Sequence, residues 1–294
     1  MSNIPTPEIK DLANARRDIS NIQFVAAGGF KAVYKAEIKG QTEAVKLAYL
    51  PPEQEEDDRA EIEARVKREI NVLRLCETDC LVHLGSIELT QIRIGAHDYF
   101  IYSEEFIAGE TLMQRIKQKD KPSFSQLKFL SCCLMKSLSV IDKAGHIHRD
   151  VKPGNIMVTD NSKRPFVLLD LGIAYKVHGT ELTRKGEHPG TTYYMAPELF
   201  SPNYRDVLDI RSDIYSAGIT IYEYASGEHP LARQGENIGT TINRILNQQP
   251  RKLKELRADL PDSFCELVDR CIKKLPALRY SRPAIVSNIM EGIS

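Results

Sequence analysis

His148-Arg149-Asp150-Val151-Lys152-Pro153-Gly154-Asn155 is the stretch that decides how the rest of the chain is read, together with Asp170-Leu171-Gly172 further on. It contains two acids, Asp150 and Asp170, and one carboxamide, Asn155. At this spacing one acid can sit at a reacting hydroxyl while the other acid and the amide hold a metal ion. Phosphoryl transfer needs that division of labour, because its transition state spreads charge over phosphoryl oxygens and is stabilised by positioning and by Mg²⁺. A lone His-Arg-Asp would fit an ordinary turn between a helix and a strand. The ordered set, completed by Ala196-Pro197-Glu198, does not.

Working outward, a glycine-bearing turn at Ala26-Ala27-Gly28-Gly29-Phe30-Lys31 lies among β-branched and aromatic residues, so Ile22 to about Lys46 predicts strand, turn, strand, strand. Pro51-Pro52 and an acidic run, 53–58, break the pattern. From Gln54 to Cys76, Ile62, Val66, Ile70 and Leu73 recur at helical spacing. Tyr99–Tyr102 reads as a further strand. After Gly109 helical stretches dominate, at Thr111–Lys119, Phe124–Gly145 and Arg211–Ala225, while Asp160–Pro165 reads as turns. Residues 1–21, polar and carrying Pro5 and Pro7, predict a short arm or helix outside the main fold.

A chain of 294 residues with 42% hydrophobic content can bury a sizeable core. Its 40 basic and 40 acidic residues balance, which gives no global attraction for nucleic acid or an anionic membrane. Cysteines at 76, 80, 132, 133, 265 and 271 show neither a Cys-x-x-Cys pair nor metal-ligand spacing, so free thiols in a reducing compartment are expected. The N-terminus lacks the basic-then-apolar pattern of a signal peptide. No window is expected to reach the roughly 20 apolar residues of a membrane span. The expectation is a soluble, stand-alone, cytoplasmic protein, a monomer or weak dimer, with no nucleic-acid or membrane partner.

The order of these parts resembles the eukaryotic-type (Hanks-type) protein kinases, in their Ser/Thr branch and in a compact, possibly bacterial form. The resemblance runs from about Ile22 to about Pro283 through the glycine turn, Ala44-Val45-Lys46, a helix with Glu69, the two stretches quoted above, Gly190–Glu198 and Asp213–Gly218. It implies an α+β, bilobal fold: a β-rich small lobe at 22–108, a helical large lobe at 109–294, and ATP in the cleft. The implied reaction transfers the γ-phosphoryl of MgATP to Ser or Thr hydroxyls of protein substrates, with autophosphorylation.

On that resemblance Asp150 is the base or orienting group for the hydroxyl, and Lys152 stabilises the γ-phosphoryl charge. Lys152 stands where Tyr-specific relatives differ. Asn155 and Asp170 are the Mg²⁺ ligands, hard oxygen donors for a hard ion. Lys46 lies in an apolar strand, and a buried ammonium needs partners. The family supplies the ATP phosphates and a helix acid, for which Glu69, on the face of Ile62, Val66 and Leu73, is the best placed. Ala26, Gly28 and Val33 with Ala44 would cover the nucleotide, Met157 would support it, and the backbone at Glu105 and Ile107 would read the adenine edge.

Two departures stand out. Only Gly28 of the three family glycines is present, with Ala26 in the first position and Lys31 in the third. Glu104 falls at the gatekeeper position, which is usually apolar or Thr, so it needs a polar partner. Glu198 with Arg279, and Asp213 against the His148–Asp150 backbone, are expected to be structural. Thr180 and Thr183 are candidate phosphorylation sites of the activation segment, Thr192 a lesser one, and Thr191 matches a structural threonine of the family. The rivals are a pseudokinase scaffold, which the intact Lys46, Asp150, Asn155 and Asp170 oppose, and a small-molecule kinase of the aminoglycoside or choline type, which would lack Gly190–Glu198.

Overall fold

The computed structural model describes residues 4–52, 56–171, 192–203 and 208–293. These divide into two compact units, one of residues 4–75 and 82–107, the other of residues 76–81 and from 108 onward.

The first unit begins with helix α1, Ile9–Ala15, and continues into three strands, β1 Ile19–Gly28, β2 Lys31–Ile38 and β3 Gln41–Leu50. Helix α2, Glu56–Leu75, and strands β4, Thr90–Ile94, and β5, His97–Glu105, complete it. The sheet is antiparallel in the order β1-β2-β3-β5-β4. Pairing of Gly28 with Lys31 leaves Gly29 and Phe30 as a two-residue turn. Gly29 has φ +59°, the left-handed conformation such hairpins demand.

Alternation along the strands separates two faces. Tyr34, Ala36, Val45, Leu47 and Ile101 form one core with Leu12 of α1. Ala48, Phe100 and Tyr102 form another with Val66 and Ile70 of α2. The arm expected outside the fold is therefore part of it. Leu12 is fully buried, and the hydroxyls of Tyr34 and Tyr99 donate to the carbonyls of Pro7 and Pro5, at 2.5 and 3.0 Å.

The second unit opens with the short strand β6, Glu110–Thr111, followed by helices α3, Leu112–Lys117, and α4, Phe124–Lys143. Strands β7, Ile156–Val158, and β8, Phe166–Leu168, pair in the order β6-β7-β8. Helices α5 (Arg211–Ser226), α6 (Ile238–Asn247), α7 (Leu253–Leu256), α8 (Asp262–Cys271) and α9 (Pro283–Glu291) follow. Both α3 and α4 start in a capping box, Thr111 with Gln114 and Ser123 with Gln126, satisfying orphan N–H groups at each end. α5 is buried on all sides as far as Ala225 and ends at Gly227 in the left-handed conformation.

The expectation that no window reaches the length and apolarity of a membrane span fails at one helix, α4. Phe124–Lys143 is long and apolar enough, by length and composition, to cross a membrane. Half of that window is buried, and Leu127, Leu130, Leu134 and Leu138 are core residues with no exposed surface, which is the pattern of a core helix.

Candidate active site

In the first unit the chemistry lies on the α2-facing side of the sheet. Register pairs Val33 with Lys46, Lys46 with Tyr102, and Ala44 with Glu104, so all five share one face, and Lys31, two residues before Val33, joins them. Lys46 is buried and is surrounded by acids from two elements. Its ammonium is 2.7 Å from Glu104 Oε1 and 3.8 Å from Glu69 Oε1. Glu104 thus has the polar partner that its position demanded.

Glu69, 1% exposed, makes a shorter ion pair that sequence reasoning missed, at 2.5 Å from Lys31. It also accepts a hydrogen bond of 3.1 Å from the Tyr102 hydroxyl. The Tyr102 ring lies 5.9 Å from both ammonium groups. Glu63, on the same helix, instead pairs with Lys67 on the exposed side of α2.

Val33 and Ala44 are half-buried on this face, while Ala26 and Gly28 are exposed near the end of β1. Glu105 closes β5 with its N–H donated to the His83 carbonyl, and half-buried Ile107 follows.

In the second unit Asp150 anchors a compact polar cluster. Lys152 Nζ donates to Asp150 Oδ2 at 2.9 Å. Asn155 commits both amide hydrogens to Asp150, at the main-chain carbonyl (2.9 Å) and at Oδ2 (2.8 Å). That arrangement leaves Asn155 Oδ1 to act as an acceptor. Burial pushes the Asp150 carboxyl above its usual range, against the pull of Lys152 and Asn155, and Asp170 adds to the rise.

Asp170 follows β8 and Met157 lies in β7. The Leu169 N–H bonds the Asn155 carbonyl at 2.7 Å, so the two candidate metal donors stand on directly linked backbone. Arg149 and Asp170 both adopt left-handed backbone conformations, φ 69° and 43°. Such conformations are costly for residues other than glycine and persist where the surroundings over-determine them.

Asp213, fully buried on α5, is one such determinant: its carboxylate accepts the N–H groups of His148 (2.6 Å) and Arg149 (2.8 Å). His148 is fully buried, its Nδ1 accepts the Asp150 N–H at 3.2 Å, and burial holds its pKa below the usual value. Those features suit a packed, neutral imidazole better than an acid or base.

Glu198 and Arg279 form a bidentate pair of 2.6 and 2.7 Å, with the guanidinium also bonding the carbonyls of Arg211, Lys273 and Lys274. Thr192 is half-buried. Thr180, Thr183 and Thr191 lie outside the described residues.

A protein kinase domain model matches residues 19–290, nearly the whole chain. The chain belongs to the protein kinase domain family. Curated relatives include a probable serine/threonine-protein kinase of Clostridium acetobutylicum, 29% identical over 270 residues, with 92% of this chain and 38% of that protein covered. Serine/threonine-protein kinase A of Synechocystis is 29% identical over 290 residues, covering 92% of this chain and 52% of its own. PknA of Mycobacterium tuberculosis, a serine/threonine-protein kinase, is 32% identical over 176 residues, with 60% and 38% covered. This kinase domain therefore spans about two fifths to one half of the relatives it matches. A crystal structure of Rad53 residues 1–466 in complex with AMP-PNP shares its fold, with TM-score 0.69 at 22% identity over 92% of this chain and 64% of that one. The family's two-lobed α+β fold agrees with the β-rich first unit and helical second unit.

Proposed function

We propose that this domain is a serine/threonine protein kinase, transferring the γ-phosphoryl group of ATP to Ser or Thr hydroxyls of proteins. The observation that carries the reading is the Asp150 cluster. A carboxylate with a raised proton affinity is held 2.9 Å from the Lys152 ammonium and clasped by Asn155, on backbone fixed by Asp213.

Asp150 accepts the proton of the attacking hydroxyl and aims its oxygen. Lys152 offsets charge that develops on the transferred phosphoryl group. Asn155 Oδ1 and the Asp170 carboxylate are hard oxygen donors that fit Mg²⁺, and the doubly committed Asn155 amide presents its oxygen for that purpose. When bound, Mg²⁺ neutralises phosphate charge. Lys46 pairs the α- and β-phosphates. Val33 and Ala44 supply apolar contact for the base, the backbone at Glu105 and Ile107 reads its edge, and Ala26 and Gly28 let the first hairpin approach phosphate. Protein substrates, autophosphorylation at Thr180 or Thr183 and a cytoplasmic location belong to the same proposal.

Incubating the purified domain with γ-labelled ATP, Mg²⁺ and a generic acceptor protein tests it. Label on phosphoserine or phosphothreonine is expected. Label on a small molecule alone, or nucleotide binding without transfer, would favour the rival readings.

A further inference from the structure

The two departures from the family pattern, Lys31 in the hairpin and Glu104 on β5, meet in one polar cluster. Their charges are opposite. Both side chains lie on the sheet face that carries Lys46, although they are 73 residues apart in sequence. Lys31 takes the Glu69 carboxylate at 2.5 Å, and Glu104 takes the Lys46 ammonium at 2.7 Å, while Lys46 and Glu69 stand 3.8 Å apart. Tyr102 ties the halves together, with its hydroxyl on Glu69 and its ring equidistant from the two ammonium groups.

All four charged side chains are shielded: exposure is 1% for the Glu69 side chain, 3% for Glu104, 5% for Lys46 and 15% for Lys31. Buried charge is tolerated when it is matched, and removing one member strands its partner in a low dielectric. With an apolar residue at 104 and glycine at 31, Lys46 and Glu69 would balance each other. Adding Glu104 alone would leave two carboxylates on one ammonium. Adding Lys31 alone would leave two ammoniums on one carboxylate. The four together are neutral.

We infer that Lys31 and Glu104 are a compensating pair of positioning residues, which divide between them the partners of Lys46 and Glu69. Lys31 holds Glu69, and with it α2, against the sheet. Glu104 holds the Lys46 ammonium at a fixed place on the same face. The inference deepens the kinase reading and rests on it for the role of Lys46. Neither residue is assigned a contact with substrate. Lys31, at the third-glycine position, thus serves as the partner of Glu69, and Glu104 balances the charge it adds.

Reciprocal rescue tests this with Lys31→Met, Glu104→Met and the double variant, two substitutions that remove charge while keeping a long apolar side chain. Each single variant is expected to lose at least about tenfold in kcat, within the range of couplings between contacting residues, with KM for the acceptor protein unchanged. The double variant is expected to recover most of that loss, and Lys31→Arg to recover more activity than Lys31→Met.

Melting temperatures of the same proteins read the pairing independently of turnover. Both singles should fall and the double should regain ground, so a single variant that fails to fold but is rescued by the second substitution also supports the pairing. Additive losses in kcat and melting temperature, a double variant that stays unfolded, or a Lys31→Met indistinguishable from the parent would overturn it. An Asp150→Asn control keeps the two claims apart. Parental turnover in that variant would sink the kinase reading, whereas the melting-temperature cycle would still decide the pairing.

Discussion

Asp213 holds Arg149 in a left-handed backbone conformation, accepting its N–H at 2.8 Å while taking that of His148 at 2.6 Å. One buried carboxylate therefore fixes the strained turn that leads directly into Asp150. Asparagine at 213 could accept only one of these bonds, and its amide group would face the other N–H. Asp213→Asn is expected to cost roughly 1–3 kcal/mol of stability, the usual penalty for an unsatisfied buried group. It should lower kcat with little change in KM for ATP. Thermal unfolding beside steady-state kinetics checks both. Unchanged kcat would show that the turn does not depend on this anchor.

Arg279 is 3% exposed and its guanidinium is fully engaged by Glu198 and three carbonyls. Glu198→Ala would leave that cation buried without its counter-charge, at a cost of roughly 3–5 kcal/mol. Chemical denaturation should show the loss as a lower midpoint with an unchanged slope. A shift under about 1 kcal/mol, the scale of a surface pair, would contradict the buried-pair description.

How much of this was legible beforehand varied with the kind of signal. Lys46 could be placed because a lysine between Val45 and Leu47 on a strand must face either solvent or a partner. Glu69 could be placed because helical spacing puts it with Ile62 and Val66, and the observed helix Glu56–Leu75 agrees with the expected 54–76. Lys31 was not legible as a buried partner. By sequence it is a loop residue in place of glycine, whereas the Gly28–Lys31 pairing places it at the first position of β2, on the face of Lys46.

The docking of α1 escaped for a different reason. It rests on one apolar residue, Leu12, in a polar segment, and on tyrosine hydroxyls far along the chain that reach the carbonyls of Pro5 and Pro7. Strand β4, Thr90–Ile94, has a weak alternation and depends on pairing with β5. Contacts between distant segments leave little trace in local periodicity.

Glu223 offers a test of pH dependence. Burial raises its carboxyl to about 7, while the Tyr194 hydroxyl, 2.5 Å away, pulls it down. The folded state thus keeps this proton up to about pH 7, whereas the unfolded chain releases it near the ordinary glutamate value of 4.5. Between those values the folded state binds more protons, so this residue's contribution to stability falls as pH rises. Glu223→Gln removes that slope. Relative to the parent, the variant is expected to gain stability from pH 5 to pH 8, by an amount on the order of 3 kcal/mol. Melting temperatures across that range check it, and a constant difference would show that Glu223 does not titrate there.

Thr180 and Thr183 carry the autophosphorylation part of the proposal. A phosphate there adds about −1.5 to −2 charges and strong acceptor oxygens in a segment followed by Arg184 and Lys185. Peptide mass mapping of the recombinant domain is expected to find phosphate on one of the two threonines in the parent and on neither in Asp150→Ala. Full activity with both threonines unmodified would remove this part of the account.

The central claim, that the Asp150 cluster transfers phosphate to hydroxyls, is tested most directly by initial rates of label transfer from γ-labelled ATP to an acceptor protein, compared between the parent and Asp150→Asn. The account predicts phosphoserine or phosphothreonine formed by the parent and a loss of roughly 10²–10⁴ in rate for the variant, with MgATP binding nearly intact. Equal rates in the two proteins, or no transfer by the parent at saturating MgATP, would contradict it.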